Sequence, residues 1–317
     1  MTLCLPPEVP LFDADGALSR EYLLHRGYCC GNGCRNCPYD GCGPAPAPAV
    51  IPARVPRRIV SLCPSNTEIL HALGLLDRVV GVDDWSDWPP QVAEKPCVGP
   101  DLGVDLDRVE ALRPDLVIAS LSVPGMERNV EGLRRRGLPH LVLDGHSLGE
   151  IWESIRTVGR ATGTAERAEA VIAGLQERIQ RVRAAVARAR RRPRVYWEWW
   201  PKPLFSPGGR NWLTPLSELA GCASVTRHVD AAAARPEPEE IVRTNPELIL
   251  LAWTGVATEK VRPEVVRRRP GWQEITAVRT GRIHVMEEGL FCRPSPRLID
   301  GLEQLAALAH PEALPHA

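Results

Sequence analysis

Between Thr164 and Arg192 apolar residues recur at Ala168, Val171, Ile172, Leu175, Ile179, Val182 and Val186, with charged residues filling the positions between them. This three-and-four spacing predicts one amphipathic helix with a single buried stripe. Thr164 suits its N-cap and Glu166 its first turn. Arg188, Arg190, Arg191 and Arg192 would oppose the dipole at its last turn, and Pro193 would stop it. At about 1.5 Å per residue such a helix spans roughly 40 Å. It is therefore predicted to be a strut holding two bodies at fixed separation, with small rocking motions and a largely preformed cleft.

On either side of the strut short apolar runs alternate with amphipathic ones. Before it, strands are predicted at 58–62, 79–82, 116–119 and 141–143, and helices at 67–73, 106–112 and 127–136. After it, strands are predicted at 194–197, 248–252 and 283–286, and helices at 213–220, 239–243, 271–277 and 297–309. Alternation of this kind calls for parallel sheets covered on both faces. The fold class is α/β: two Rossmann-like lobes joined by one long backbone helix, plus a small N-terminal Cys-rich module. The expected divisions are that module at 1–42, a Pro/Ala linker at 43–56, a first lobe at 57–147, connecting helices at 148–192 and a second lobe at 193–317.

An internal similarity supports the two-lobe reading. L-D-R-V-E-A-L-R-P-D-L-V-I (Leu106 to Ile118) lies in register with P-E-E-I-V-R-T-N-P-E-L-I-L (Pro238 to Leu250). Each is a short helix, a proline turn and a buried strand, and the register places Asp107 opposite Glu239 in the first turn of its helix. Two like lobes on a strut form a clamp, whose cleft lies beyond the carboxyl ends of the strands.

The N-terminus departs from this pattern. Y-C-C-G-N-G-C-R-N-C-P-Y supplies Cys29, Cys30, Cys34 and Cys37, with Cys42 close behind. A thiolate set this dense fits zinc or iron, with disulfides or free thiols as the alternatives. The segment resembles a short Cys-rich family found alone or fused to other domains.

Composition narrows the classes of partner. The 317 residues are 44% hydrophobic and 25% charged, an ordinary globular balance. With 39 basic and 39 acidic residues the formal net charge is +0, so no global field favours nucleic acid or an anionic membrane. No apolar run is long enough for membrane insertion. Residues 1–15 carry prolines and acids where a signal peptide would have a basic and then an apolar segment, and no apolar run leads to Cys29 as in a lipoprotein signal. A cytoplasmic monomer is expected on these grounds.

Enzymatic signatures such as G-x-G-x-x-G, a P-loop, H-E-x-x-H and G-x-S-x-G are missing, so the chain reads as non-enzymatic. His71 and Cys63 are expected to be packing residues. The informative anomaly is aromatic usage: 9 Trp against 3 Phe and 4 Tyr. Trp85, Trp88, Trp197, Trp199, Trp200 and Trp253 fall where loops should leave strands, and flat apolar walls there suit a large planar ligand such as a tetrapyrrole or corrin.

C-P-S-N-T-E (Cys63 to Glu68), V-V-G-V-D-D-W-S-D-W-P (Val79 to Pro89), R-P-D-L-V-I-A (Arg113 to Ala119), N-P-E-L-I-L (Asn245 to Leu250) and R-P-S-P-R-L (Arg293 to Leu298) together resemble the vitamin B12-binding members of the helical-backbone (class III) substrate-binding proteins of ABC transporters. The likeness covers about residues 57–310. It implies a corrinoid (cobalamin-like) ligand held between the lobes and delivery to an ABC transporter permease. It places Trp85 and Trp199 on corrin-packing positions, with Trp200 and Trp253 beside them, Arg293 on a polar cleft position, and Asp107 and Glu239 on the acids that dock to the transporter. Members of the family are usually periplasmic or lipid-anchored. An aromatic common before the first docking acid is replaced here by Asp101 or its neighbours. The alternative ligands are haem or an iron siderophore; the alternative role is an intracellular corrinoid metallochaperone or redox protein using the Cys cluster.

Overall fold

The computed structural model describes residues 54–189 and 191–314, together with residues 19–21, 24 and 36. The chain divides into two units, Met1–Val50 and Ile51–Ala317. Cys29, Cys30, Cys34, Cys37 and Cys42 lie outside the described residues, so the structure carries no account of the Cys-rich module.

The second unit begins with β1 (Ile59–Ser61), α1 (Pro64–Ala72), β2 (Val79–Val82), α2 (Leu106–Ala111), β3 (Leu116–Ser120), α3 (Glu127–Arg135) and β4 (His140–Leu143). These strands form one parallel sheet in the order β2-β1-β3-β4. Their continuous apolar runs are buried on both faces, as a helix-covered parallel sheet requires.

Two helices follow, α4 (Leu148–Thr162) and α5 (Ala165–Val186). Ser147 caps α4, and Gly163 in the left-handed region (φ 71°) turns the chain directly into α5. The connection is thus a helical hairpin. The strut predicted over 164–192 is present but shorter, at 22 residues. Its buried stripe runs Ala168, Ile172, Leu175, Ile179 and Val182, and it ends at Val186 because the arginines beyond offer no apolar side chain to bury.

The second lobe comprises β5 (Arg194–Glu198), β6 (Trp200–Pro201), β7 (Leu204–Pro207), α6 (Leu213–Leu219), β8 (Ala223–Ser224), β9 (Ala233–Ala234), α7 (Pro238–Thr244), β10 (Leu248–Leu251), α8 (Pro263–Arg267), α9 (Thr276–Arg279), β11 (Ile283–Val285), α10 (Glu288–Phe291) and α11 (Leu298–Ala309). Its main sheet is again parallel, in the order β11-β10-β5-β8, and a small antiparallel sheet β6-β7-β9 stands beside it. The helix expected at 271–277 is instead a 3-10 turn (Trp272–Glu274) followed by α9, broken at Ile275. Trp272 is fully buried there, packing edge-on against Tyr196 at 5.8 Å.

The internal repeat extends into the backbone. Arg113 (φ 47°) and Asn245 (φ 45°) are the two non-glycine residues with left-handed backbone among the described residues. They occupy equivalent positions, each before a proline that ends its helix. One residue further, Asp115 accepts from the Arg57 and Arg58 amides at the start of β1 (both 2.8 Å), and Glu247 accepts from the Arg194 amide at the start of β5 (3.1 Å). Arg58 donates to the Leu112 and Arg113 carbonyls, and Arg194 donates to the Asn245 carbonyl. Each lobe thus closes one helix end onto its central strand with an acid, Asp115 or Glu247, and an arginine, Arg58 or Arg194, at equivalent positions.

Helices α4 and α5 approach closely because Gly159 lacks a side chain. A Cβ there would lie 2.6 Å from the Ala168 Cβ and 3.3 Å from the Thr164 carbonyl oxygen. Gly159→Val must push the helices apart and is expected to lower stability by about 1–3 kcal/mol. Urea unfolding checks this.

Candidate functional site

Each sheet has a switch point where connections leave in opposite directions: between β1 and β3 in the first lobe, and between β5 and β10 in the second. At the first, α1 starts directly from the end of β1. Cys63 is its N-cap residue and Pro64 its first residue, where a missing N–H costs nothing. The Asn66 side chain donates to the Ile118 carbonyl of β3 (3.1 Å), fastening the helix start across the switch point. This fastening buries the polar run Ser65 to Glu68.

The loop after β2 is fixed by Asp83, which is fully buried. Its carboxylate accepts from the Trp85 amide (2.9 Å) and from Ser86 Oγ (2.5 Å), and Ser86 Oγ also bonds Thr67 Oγ1 on α1 (2.8 Å). Burial pushes the Asp83 carboxyl up to about 6, against the two hydrogen bonds that favour its charge. The backbone of Trp85 is therefore held while its ring stands 58% exposed.

At the second switch point Glu198 ends β5 with its side chain wholly buried. It is paired through both oxygens with Arg269, and the Trp253 indole donates to it (3.2 Å). Trp253 is consequently 8% exposed and belongs to the core of the second lobe. The Thr254 amide donates to the Trp199 carbonyl (3.2 Å), joining the loops after β5 and β10. Trp199 is half-buried, and its indole nitrogen is enclosed without an acceptor among the described residues. Trp200 is 42% exposed, whereas Trp197, expected beside it at a strand end, lies within β5 and is wholly buried with its indole donating to Ser217 Oγ (2.9 Å).

The lobes meet around Glu68. Its carboxylate accepts from Arg293 (3.0 Å), Arg297 (3.3 Å) and the Ser295 hydroxyl, all from the segment between α10 and α11. Arg293 also pairs with Asp87, after β2, through both terminal nitrogens (2.5 and 3.1 Å), and with Glu288 (3.2 Å). Arg297 lies 4.5 Å from the centre of the Trp88 ring, a cation–π contact. These bonds bring the loops beyond the carboxyl ends of both sheets together. Burial raises the Glu68 carboxyl while Arg293, Ser295 and Arg297 pull it back. Burial opposes the Arg293 charge, but Asp87, Glu288 and Glu68 outweigh it and push its pKa up. Burial also raises Glu288 and Asp101, whereas Arg293 overcomes it at Asp87 and holds that carboxyl low.

Asp107 and Glu239 lie apart from this network, exposed in the first turns of α2 and α7. Arg136 pairs with Asp107 at 2.6 Å. Cys63 and His71 are, respectively, buried between α1 and β1, where burial pushes the thiol up to about 12, and edge-on to Trp88 at 6.3 Å. Among the described residues no group of three or more His, Cys, Asp or Glu side chains is arranged to hold a metal ion. Nor is any helix there long and apolar enough to cross a membrane.

A family described as periplasmic binding protein matches residues 59–289. The chain belongs to that family. A family of unknown function, DUF5522, matches residues 17–42. The ABC transporter substrate-binding lipoprotein YvrC of Bacillus subtilis is 33% identical over 267 residues, covering 81% of each chain. A vitamin B12-binding protein of Pectobacterium atrosepticum is 26% identical over 80% of this chain and 88% of its own. Among solved structures, the periplasmic heme-binding protein RhuT of Roseiflexus sp. RS-1 superposes with a TM-score of 0.72 at 25% identity, over 81% of this chain and 99% of that one. The periplasmic vitamin B12 binding protein BtuF of Vibrio cholerae shares the fold, with a TM-score of 0.67 at 24% identity, over 83% of this chain and 99% of that one.

These findings establish an α/β substrate-binding protein of ABC transport, of a kind that binds small molecules and pairs with permeases. They also correct the expected cytoplasmic location. The family is described as periplasmic and the Bacillus subtilis relative is named a lipoprotein, so the composition of residues 1–15 was the wrong guide.

Glu68, Asp87, Ser295 and Arg297 lie in family-like segments of the sequence, but nothing local marks a role for them or for the Glu198–Arg269 pair. Opposite charges 225 positions apart leave no local periodicity to read. Removing Glu68 would take away the carboxylate that Arg293 and Arg297 share, leaving Arg293 to Asp87 and Glu288 and Arg297 to Glu287. Glu68→Ala is expected to cost about 1–3 kcal/mol, and Glu68→Ala with Arg293→Ala to cost less than the sum of the single changes. A double-mutant cycle in urea measures both.

Proposed function

We propose that the chain binds a corrinoid in the cleft between its lobes and presents it to an ABC-type permease, without catalysing a reaction. The observation that carries this reading is the aromatic rim. Trp85, on the loop after β2, and Trp200, in strand β6, belong to opposite lobes and stand 58% and 42% exposed, the first held by buried hydrogen bonds and the second by strand pairing. Exposed rings on a rigid backbone supply flat apolar area at low entropic cost, which suits a wide macrocycle. Several relatives named vitamin B12-binding protein, 23–26% identical over 77–80% of the chain, support the choice.

The second reading is haem or an iron chelate, supported by solved proteins of the same fold named for haem and for Fe3+-hydroxamate transport. Arg293 weighs against anionic members of that class, because three carboxylates already engage it.

Titration of the full chain with cyanocobalamin is expected to quench tryptophan fluorescence with a Kd of about 1 μM or tighter. Trp85→Ala should weaken binding about tenfold or more. No heat and no quenching would reject the corrinoid reading.

Asp107 and Glu239 are the proposed docking acids. They hold equivalent positions in the two lobes and project from exposed first turns, where their charge also suits the helix dipole. Asp107→Lys with Glu239→Lys is expected to leave the cyanocobalamin titration unchanged and to abolish co-purification with a permease reconstituted in nanodiscs.

A further inference from the structure

The floor of the cleft carries an imbalance of charge. Glu68, Asp87 and Glu288 pair with Arg293, Glu68 and Glu287 pair with Arg297, and Asp83 and Asp101 lie on adjoining loops of the first lobe. Six carboxylates against two guanidiniums leave four formal negative charges. The loop carrying Asp101 is joined to the loop carrying Asp83 and Asp87 by two hydrogen bonds: the Asp84 amide donates to the Gly99 carbonyl (3.0 Å) and the Gly99 amide donates to the Asp84 carboxylate (3.1 Å).

The cations are also committed. The Arg293 side chain is 11% exposed and paired with Glu68, Asp87 and Glu288, while Arg297 is paired with Glu68 and Glu287 and covers Trp88. An incoming anion would have to displace a carboxylate to reach either guanidinium, and would meet the remaining carboxylates at close range. An amide is received differently, since its N–H donates to a carboxylate and its carbonyl adds no net charge.

Two of the carboxylates are placed to act on a ligand. Asp101 lies in the loop Gly99–Gly103, tied to the first lobe by Asn129 Nδ2 donating to its carbonyl oxygen (2.5 Å) and by the Gly99 amide donating to Asp84 (3.1 Å). Glu288 begins α10 on the second lobe, directly after β11. Both side chains are partly exposed, unlike Glu68 and Asp83. They stand on opposite lobes.

We infer that the cleft selects its ligand by charge, with Asp101 and Glu288 favouring a macrocycle edged with neutral amides and rejecting one edged with carboxylates. This deepens the corrinoid reading and rests on it: a corrin carries carboxamide side chains, whereas haem carries two propionates and many ferric chelates are anionic. The discrimination would come from repulsion of the wrong ligand as much as from attraction of the right one.

The test compares ligands of one shape and different charge on the full chain. Cyanocobalamin is titrated beside its monocarboxylic acid derivatives, in which one carboxamide is a carboxylate. The acids are expected to bind about tenfold more weakly at low salt, with the gap narrowing as ionic strength rises. In Asp101→Asn with Glu288→Gln, checked for folding by circular dichroism, the gap should shrink severalfold. Acids that bind as well as cyanocobalamin, or a gap that neither salt nor the double variant alters, would overturn the inference.

If cyanocobalamin itself does not bind, the corrinoid reading fails alone. Haemin and its dimethyl ester then decide the charge inference by the same comparison, the ester being expected to bind more tightly. Equal binding of that pair rejects charge selection, and binding of neither pair rejects both ideas.

Discussion

A single buried carboxylate, Glu68, sets the relation between the two lobes. It is 1% exposed on its side chain and accepts from Arg293, Arg297 and Ser295, none of which belongs to its own lobe. Removing a carboxylate and two guanidiniums from water costs several kcal/mol per ion, and the cost is offset only when each group finds its partners in good geometry. Such a contact has little tolerance for partial separation. It therefore acts as a discrete seam, either made or broken.

Helix α5 cooperates with this seam. Arg178 on α5 reaches Asp300 and Glu303 of α11 at 2.6 Å, so the backbone helix is ionically tied to the last helix of the second lobe. At its other end, Gly159 lets α4 lie directly against it. Continuous helix, close hairpin and buried ion pairs all oppose a wide hinge.

The repeated architecture explains why the surface features come in pairs. The same helix, left-handed residue, proline and strand-capping acid recur in each lobe, with Arg58 and Arg194 closing the turn alike. Equivalent backbone places Asp107 and Glu239 on equivalent exposed turns. The two lobes differ beyond the carboxyl ends of their strands: the first carries the Asp83-anchored Trp85, and the second a tryptophan cluster of which Trp253 is withdrawn into the core by Glu198.

Much of this was legible before folding was considered. Continuous apolar runs and three-and-four spacings are local properties, so β2 was placed over Val79–Val82 and both lobes were seen as α/β. The internal repeat was legible for the same reason, since one turn chemistry appears twice. Where the backbone helix stops was not: the arginines after Val186 satisfy a charge rule for helix ends but have nothing to bury. Nor could a list of tryptophans separate Trp85, which is exposed, from Trp253, whose indole finds a carboxylate beneath the cleft. Strands β1 to β5 and the backbone helix were legible because they depend on neighbours within a turn or a pleat; the short strands β6 to β9 and the helix break at Ile275 were not, because contacts across the second lobe set them. The tertiary structure alone decided that Glu68 and Arg293 meet, because nothing shorter than the whole fold brings together charges 225 residues apart.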